Sequence, residues 1–414
     1  MVVLAPVADH MQREYDIIIW GASGFTGKIV CDYMRENYSG GNLTWAIGGR
    51  NRSKLNALQA ASGVDVLVAD AHDPSALTEL VKKTRVVLTT VGPYARYGSE
   101  LVKACAEQGT HYCDLTGEVH WMRNMIERYD AAAKDSGAKI VHTCGFDSIP
   151  SDIGVFFMQQ QMNNKHGVAA SHIKYRTRAF KGGFSGGTID SMMAMMESAK
   201  TDPKIMTTIA DPYALNFSHR GLDGVDQNSQ FYDSDFQAWV GPFVMAAINT
   251  RVVRRSNELM GQVYGNEFRY DEGSIVGAGV GAMVGSTALA MGTRLMNGLA
   301  AIEPTRKLMQ KVLPKPGEGP SAEIIDSGFF EIELLAKHPS DPQKNLLGRV
   351  KGDKDPGYGS TAKMLAECAV ALAQDNLPTT GGFWTPASAM GDALLERLPA
   401  NAGVTFDLVE PTGT

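Results

Sequence analysis

Three glycines near the amino-terminal end of the sequence have the spacing of an anion-binding turn. Gly21, Gly24 and Gly27 lie in WGASGFTG, between the β-branched run YDIIIW and a stretch with helical periodicity. Glycines in this context allow a tight turn, a close approach of the backbone to a pyrophosphate and close helix–strand packing. The free N–H groups at the helix N-terminus then bind the anion. The segment therefore predicts a dinucleotide site, whose further members are Ser23, Phe25 and Thr26.

Basic residues follow the second expected strand, where the adenosine ribose of a dinucleotide would lie. An NAD-dependent enzyme usually has a carboxylate there, whereas this sequence has GGRNRSKL. Arg50, Asn51 and Lys54 offer positive charge and hydrogen-bond donors suited to a 2′-phosphate. We therefore expect NADP(H) as the cofactor. Asp70, at the end of the third expected strand, is placed to accept a hydrogen bond from the adenine amino group.

Candidate catalytic groups follow the fourth and fifth expected strands. In a doubly wound sheet, the reactive end of a dinucleotide lies at the carboxyl ends of the strands past the midpoint. Gly92 and Pro93 would let the backbone pass close to it. Tyr94, the preferred candidate, and Tyr97 could donate a hydrogen bond to a carbonyl oxygen that gains charge during hydride addition. Asp114 is a third candidate, for acid–base work, with a structural role equally favoured.

Neighbouring polar residues receive structural interpretations. Glu118 follows Asp114 in DLTGE, and for Glu118 capping of the next helix is favoured over catalysis. His142 is interpreted as a core histidine and Cys144 as buried and inert. Ser151 is favoured as a helix cap, because no GxSxG elbow surrounds it. The histidines and cysteines have no metal-binding spacing, so no metal site is expected.

The elements that must position these groups alternate between strand and helix in the first part of the chain. Strand candidates lie at residues 15–20, 44–49, 64–70, 85–91, 111–115 and 138–144. This alternation predicts a Rossmann-type, doubly wound parallel sheet with strands buried on both faces. Further strands at 172–180, 329–336 and 346–352 predict a second, mixed α/β domain with a largely antiparallel sheet.

The domain organisation follows from this change of rhythm. We expect a flexible arm at 1–14, an NADP-binding Rossmann domain at 15–150 and a substrate or dimerisation domain at 151–355. Residues 356–414 are predicted to form a helical segment that returns to the Rossmann domain, with a capped amphipathic helix at 357–375.

Composition limits the classes of partner and compartment. The 414 residues carry a net charge of −6, which gives no indication of a nucleic-acid partner. The five scattered cysteines form no CxxC pair and are typical of a reducing cytoplasm. The opening MVVLAPVADH lacks a cationic start, so a secretory signal is not expected.

An uncharged stretch at 274–293 raises the question of lipid contact. It contains Gly277, Gly281 and Gly285, whose spacing lets two helices approach closely. A packed internal or dimer-interface helix is favoured, which makes a homodimer the expected assembly. A peripheral membrane contact is the second alternative, and a true span is the third because the length just suffices for one.

Four segments together resemble one oxidoreductase family. WGASGFTG, GGRNRSKL, TVGPYARYGSELVKACAEQGTHYCDLTGE and CGFDSIPSD are similar to the saccharopine dehydrogenase-like oxidoreductases. The closing GGFWTPASAMGDALLERL, at 381–398, resembles the branch called trans-acting enoyl reductases. The resemblance covers most of 15–200 and about the last sixty residues, and it is indistinct over 200–330.

The resemblance implies a stand-alone NADPH-dependent reductase of a C=C bond in an acyl or polyketide thioester, whose acyl chain could be carrier-bound. Two alternatives stay open. One is imine reduction of a carboxylated substrate, for which Lys174, Arg176 and Arg178 alternate onto one face of a strand. The other is a non-catalytic module that binds NADP(H) together with a lipid or a protein.

Overall fold

Two seven-stranded sheets with packed helices make up the residues that the computed structural model describes, namely 13–183, 186–305 and 319–409. Most of the expected arm at 1–14 therefore lies outside the described residues. The two sheets confirm the expected fold class. The first is parallel throughout, and the second is mixed and largely antiparallel.

The first sheet takes six of its strands from the amino-terminal part. These are β1 (Tyr15–Trp20), β2 (Trp45–Gly49), β3 (Asp65–Val68), β4 (Thr84–Thr89), β5 (His111–Cys113) and β6 (Lys139–Val141), in the spatial order β6-β5-β4-β1-β2-β3. Each lies within or next to its expected range. Ile17, Ile18 and Ile19 are fully buried, since helices cover both faces of the sheet.

The helices of this part are α1 (Phe25–Tyr38), α2 (Arg52–Ser62), α3 (Pro74–Val81), α4 (Tyr94–Tyr97), α5 (Ser99–Gln108) and α6 (Val119–Ser136). Local sequence fixes several of their starts. Asp73 accepts hydrogen bonds from the Ser75 and Ala76 N–H groups and so caps α3, whose first residue is Pro74. Asn51 caps α2 in the same way by accepting from the Lys54 N–H.

The second sheet begins after helix α7 (Ile149–His166) and contains a series of elements. They are β7 (His172–Lys181), α8 (Gly186–Thr201), α9 (Lys204–Ala210), β8 (Phe231–Asp233), β9 (Ala238–Gly241), α10 (Ala246–Leu259), β10 (Arg269–Gly277), α11 (Gly279–Ala301), α12 (Ala322–Asp326), β11 (Phe329–Lys337) and β12 (Leu346–Gly352). Strands β7, β11 and β12 match their expected ranges, and β11 is antiparallel to both of the others. Strand β10 pairs parallel to β7.

The carboxyl-terminal part adds one strand to each sheet. It contains α13 (Gly359–Gln374), β13 (Gly382–Trp384), α14 (Pro386–Arg397), a π-helical turn at Leu398–Ala402 and β14 (Val404–Leu408). Strand β13 pairs with β6 in the first sheet, and β14 pairs with β12 in the second. Neither of these two strands is expected from the sequence. Helix α13 packs against α1, and Tyr33 of α1 donates a hydrogen bond to Glu367 of α13 over 2.7 Å.

One apolar core runs through both sheets. Ile17 and Ile19 of β1 belong to the same buried cluster as Ile332 of β11 and Val350 of β12. Helix α7 packs against β11 and β12 and takes part in this cluster. The cofactor-binding part and the second sheet therefore share the packing of this cluster.

Helix α11 is exposed over much of its surface, which argues against internal packing of 274–293 and leaves the dimer-interface and peripheral-membrane interpretations as predictions. Val280, Val284, Met291 and Leu295 are 73%, 60%, 65% and 64% exposed. The segment also differs from the expectation at its start, because residues 274–277 are the end of strand β10 rather than part of a helix. Among the described residues, no helix combines the length and the hydropathy needed to cross a bilayer.

Candidate active site

The glycine turn after β1 has the tight geometry that a dinucleotide site needs. Gly21 has a φ of 90°, in the region that favours glycine, and its N–H donates to the Gly48 carbonyl over 2.9 Å. A Cβ on Gly27 would lie 2.2 Å from the Gly21 carbonyl oxygen. Only glycine at position 27 lets α1 begin so close to the end of β1.

The N-terminus of α1 is open toward the space in front of this turn. Gly24 is its N-cap, and no side chain among the described residues caps it. The Lys28 N–H donates to the Gly24 carbonyl over 3.0 Å, so the N–H groups of Phe25, Thr26 and Gly27 precede the first helical hydrogen bond. With the Ser23 and Thr26 hydroxyls beside them, these groups fit a pyrophosphate.

The Phe25 side chain packs against residues far along the chain from this turn. Its ring lies edge-on to Tyr358, with 4.7 Å between the centroids, and a Cβ on Gly319 would lie 2.5 Å from the Phe25 Cε1 atom. Phe25 can therefore serve the cofactor through its backbone N–H, while its ring connects the turn to the second half of the chain.

The basic residues after β2 remain exposed to solvent. Arg50 and Lys54 are both exposed, which leaves their positive charges available for a 2′-phosphate. Asn51 is already engaged in part, because its Oδ1 atom accepts from the Lys54 N–H over 3.0 Å. Asp70 is exposed too, and its Oδ1 atom accepts from the His72 N–H over 2.9 Å.

The loop after β4 leads into the short helix α4. Gly92 is exposed and Pro93 is buried, and the peptide bond between them is cis. The Glu118 carboxylate accepts from the N–H groups of Tyr94 and Ala95, each over 2.8 Å. Glu118 is thus a capping residue, but it caps α4, whereas the expectation was the helix that follows it.

Tyr94 is buried, and its hydroxyl is bonded to the backbone. The hydroxyl donates to the Thr89 carbonyl over 3.2 Å and accepts from the Leu115 N–H over 3.4 Å. Burial raises its pKa well above the ordinary value, and the charges of Asp114 and Glu118 act in the same direction. These contacts favour a packed, neutral phenol, and a catalytic role for Tyr94 stays a prediction.

The other two catalytic candidates occupy different surroundings. Tyr97 is half-buried, with its ring centroid 5.5 Å from that of His72. Asp114 is fully buried and joins the ends of β5 and β6, because it accepts from the Thr116 and Thr143 N–H groups, each over 3.1 Å. Its Oδ2 atom also contacts the Tyr112 hydroxyl at 2.9 Å and His142 Nδ1 at 2.7 Å. This geometry favours a positioning role for Asp114.

Ser191 of α8 is a contributor that the sequence analysis missed. Its Oγ atom donates to Glu118 over 2.8 Å and lies 3.7 Å from the position of a Cβ on Gly92. Helix α8 therefore lies over the loop after β4. No spacing in the sequence indicates a contact between residues so far apart. The predicted cap at Ser151 was wrong as well, since the N-cap of α7 is Ser148.

Comparisons with known proteins agree with this geometry. The family model of the saccharopine dehydrogenase NADP-binding domain matches residues 17–141. A Mycobacterium tuberculosis protein named as a candidate trans-acting enoyl reductase is 42% identical, over 95% of this chain and 97% of the relative. The trans-acting enoyl reductase of Mycobacterium ulcerans is 37% identical, over 94% and 96%. This chain belongs to the trans-acting enoyl reductase family.

The fold of this trans-acting enoyl reductase family member is also that of a solved enzyme. The glutamate-forming saccharopine dehydrogenase of Saccharomyces cerevisiae aligns with a TM-score of 0.53 at 10% identity, over 96% of this chain and 100% of that chain. The family membership and the NADP-binding domain confirm the expected saccharopine dehydrogenase-like recognition, the NADP(H) cofactor and the NADP-dependent oxidoreductase class.

In this family member, the three cations of β7 that alternate onto one face are each paired with an acid. Arg176 is buried and donates to Asp233 through Nε, over 3.0 Å, and through Nη2, over 2.8 Å. Lys174 contacts the same carboxylate at 3.0 Å, and Arg178 pairs with Glu333 at 2.8 Å. The strand therefore does not present a free cationic cluster of the kind that a carboxylated substrate would need.

Proposed function

We propose that this enzyme reduces the C=C bond of an acyl or polyketide thioester with NADPH. The observation that carries the proposal is the similarity to two relatives named for enoyl reduction, which extends over at least 94% of this chain. Because the similarity runs through the second sheet as well as the cofactor-binding part, it supports a shared substrate class and not only a shared cofactor.

The residues of the site divide this reaction between binding and positioning. When bound, NADPH supplies a hydride to the β-carbon of the thioester. The N–H groups at the start of α1 would hold the pyrophosphate, and Arg50 and Lys54 would hold the 2′-phosphate. Glu118 fixes α4, so that the loop at Gly92 keeps its shape beside the reacting end.

Stabilisation of the thioester oxygen requires a hydrogen-bond donor. Tyr94 and Tyr97 stay the proposed donors, and they differ in the rearrangement that each would need. The Tyr94 hydroxyl must exchange its bond to the Thr89 carbonyl for one to the substrate. Tyr97 is already partly open to solvent, so it requires no such exchange. Separate Tyr94→Phe and Tyr97→Phe variants would show which hydroxyl supports kcat.

The imine alternative receives less support from the structure. A substrate with several carboxylates needs cations that are not neutralised within the protein. Lys174 and Arg176 instead share Asp233, and Arg178 pairs with Glu333. We therefore place enoyl reduction first.

The apolar surface of α11 fits a lipid-associated substrate. Helix α8 packs against α11, and its Ser191 lies beside the loop at Gly92, so α8 connects α11 with the site. Val280, Val284, Met291 and Leu295 lie along one side of the helix, and Arg294 is the only charged residue between 273 and 302. We propose that this side rests on a membrane surface, where acyl chains partition.

Sedimentation with phosphatidylcholine vesicles tests the membrane contact. The wild type is expected to sediment, and a Val284→Asp, Leu295→Asp variant is expected to stay in the supernatant with unchanged NADPH affinity. A wild type that ignores vesicles and forms a dimer disrupted by the same two substitutions would overturn the membrane contact in favour of the homodimer.

An assay that measures the oxidation of NADPH through its absorbance tests the proposed reaction. The purified enzyme is given trans-2-enoyl thioesters of increasing chain length on coenzyme A and on an acyl carrier protein. The expected result is oxidation with formation of the saturated thioester, and a higher kcat/KM on the carrier-bound form would indicate a carrier partner. Oxidation with lysine plus 2-oxoglutarate, but with no enoyl thioester, would establish the imine alternative.

A further inference from the structure

The turn between β6 and α7 has an unusual backbone for its sequence. Thr143 and Ser148 have φ values of 62° and 108°, in a region that residues other than glycine rarely adopt. Such conformations persist only where the surroundings hold them, and they are concentrated at functional sites. The turn is therefore a candidate for a functional role.

Three neighbouring elements hold this turn in place. The Phe146 N–H donates to Thr361 Oγ1 of α13 over 2.9 Å, and Ser148 Oγ donates to Asn249 Oδ1 of α10 over 3.0 Å. The Thr143 N–H donates to Asp114, after β5, over 3.1 Å. Asp147 lies between two of the anchored residues, so its backbone is fixed.

Asp147 itself has no hydrogen bond or ion pair to any other residue that the structure describes. The residue as a whole is half-buried. Other acids near it are fully engaged. Asp114 accepts from two backbone N–H groups, Glu118 from two backbone N–H groups and the Ser191 hydroxyl, and Asp152 from Ser256 and Ala387. Holding a carboxyl group away from water without a hydrogen-bond partner costs free energy of folding. A purely structural role therefore does not explain Asp147.

The carboxyl group lies at the reactive edge of the first sheet. Its Oδ2 atom is 3.7 Å from the position that a Cβ on Gly117 would take, in the loop after β5. Its negative charge also contributes to the raised pKa of Tyr94, after β4. Asp147 thus lies where the loops after β4, β5 and β6 meet, which is where the reacting end of a dinucleotide lies in this fold.

We infer that Asp147 is the proton donor that completes the reduction, an inference that rests on the proposed function. Hydride addition to the β-carbon leaves an enolate on the thioester. The enolate electron pair then forms the new C–H bond at the α-carbon with the Asp147 proton, and the O–H electron pair stays on the Asp147 carboxylate. Solvent water restores the proton before the next turnover.

The surroundings of Asp147 keep this proton available near neutral pH. Burial raises the pKa of Asp147 to about 7. Tyr94, after β4, is an ionisable group on which the charge of Asp147 acts, and it supplies no positive charge. The residues of α10 and α13 that contact this turn or the loop at Gly117, namely Ile248, Asn249 and Thr361, are uncharged.

An Asp147→Asn variant tests the inference, with Asp147→Glu as the conservative variant and Asp135→Asn, on the exposed surface of α6, as the matched control. With crotonyl-coenzyme A in deuterated water, we expect D147N to lose about 100-fold or more in kcat, the scale of general acid catalysis. NADPH affinity should change by less than about twofold. The wild type should place deuterium on one face of the α-carbon, and D147N should lose that preference, which D147E should partly restore.

The possible failures separate the inference from the proposed function. A wild type that oxidises NADPH with the thioester, beside a D147N variant of equal kcat and equal stereochemistry, overturns the role of Asp147 and leaves the enoyl reductase standing. A wild type that binds NADPH but reduces no enoyl thioester overturns the proposed function and, with it, this role.

Discussion

Glu118 and Tyr94 are joined by a hydrogen bond of 2.8 Å that connects the loops after two neighbouring strands of the first sheet. The acceptor is a buried carboxylate and the donor is the first backbone N–H of α4. Since the second oxygen of Glu118 accepts from Ala95, the side chain caps a helix that begins beside the cofactor site.

A Glu118→Gln variant should therefore be less stable. The amide offers one acceptor oxygen where the carboxylate offers two, so the N–H of Tyr94 or that of Ala95 loses its partner, at a cost of about 1–3 kcal/mol. Urea unfolding would measure the loss, and Glu107→Gln, on the exposed face of α5, is the control. Equal midpoints for E118Q and wild type would show that the cap does not stabilise the fold.

An Arg50→Ala variant should weaken NADPH binding selectively. The exposed guanidinium is expected to contact the 2′-phosphate, and loss of one charge-assisted contact is worth about 1.5–3 kcal/mol, or roughly a 10- to 100-fold rise in Kd. Titration calorimetry with NADPH and NADH would measure it, with no change expected for NADH. Lys165→Ala, an exposed residue in the last turn of α7, controls for the change in net charge. A parallel loss for both cofactors would place Arg50 elsewhere than at the 2′-phosphate.

A Gly27→Ala variant should disrupt the nucleotide turn. The added methyl group would lie 2.2 Å from the Gly21 carbonyl oxygen, so α1 must move away from β1. Loss of NADPH binding in fluorescence titrations, together with a lower thermal midpoint, is the expected result. The control is Gly281→Ala in α11, where a Cβ meets no heavy atom within 4 Å and alanine should stabilise the helix by about 0.5–1 kcal/mol. Unchanged NADPH affinity in G27A would refute the tight turn.

An Asp147→Asn variant should gain stability relative to the wild type as pH rises. Because the folded-state pKa of Asp147 is raised from 3.8 to about 7, folding disfavours its ionised form. Wild-type stability is thus lost as pH rises from about 4 through about 7, and asparagine removes this term. Urea midpoints at pH 5, 6, 7 and 8 should give a D147N advantage that grows up to about pH 7 and is constant above it. The same advantage at every pH would mean that Asp147 ionises freely.

The first sheet followed from the sequence because its strands are short apolar runs separated by helical patterns. Strand β1 was predicted at its observed bounds, and β12 likewise, since both runs end at clear breakers. Strands β8 and β13, of three residues each, carry too little pattern to stand out. They are strands because of the neighbours they pair with, β9 and β6.

The site was only partly predictable for a related reason. Gly21, Gly24 and Gly27 act through local backbone geometry, which spacing reveals. The roles of Glu118 and Asp147 depend instead on what lies nearby in space: α4 for the former, and the lack of any partner among the described residues for the latter. No local pattern in the sequence encodes either circumstance.

The apolar cluster that includes both Ile19 and Val350 has a consequence for turnover. Two lobes that swing apart on a hinge would have to separate buried hydrocarbon at every cycle, a cost that shared packing makes prohibitive. We therefore expect a fixed scaffold, in which ligands reach preformed walls and release is controlled by local adjustment of segments such as α8.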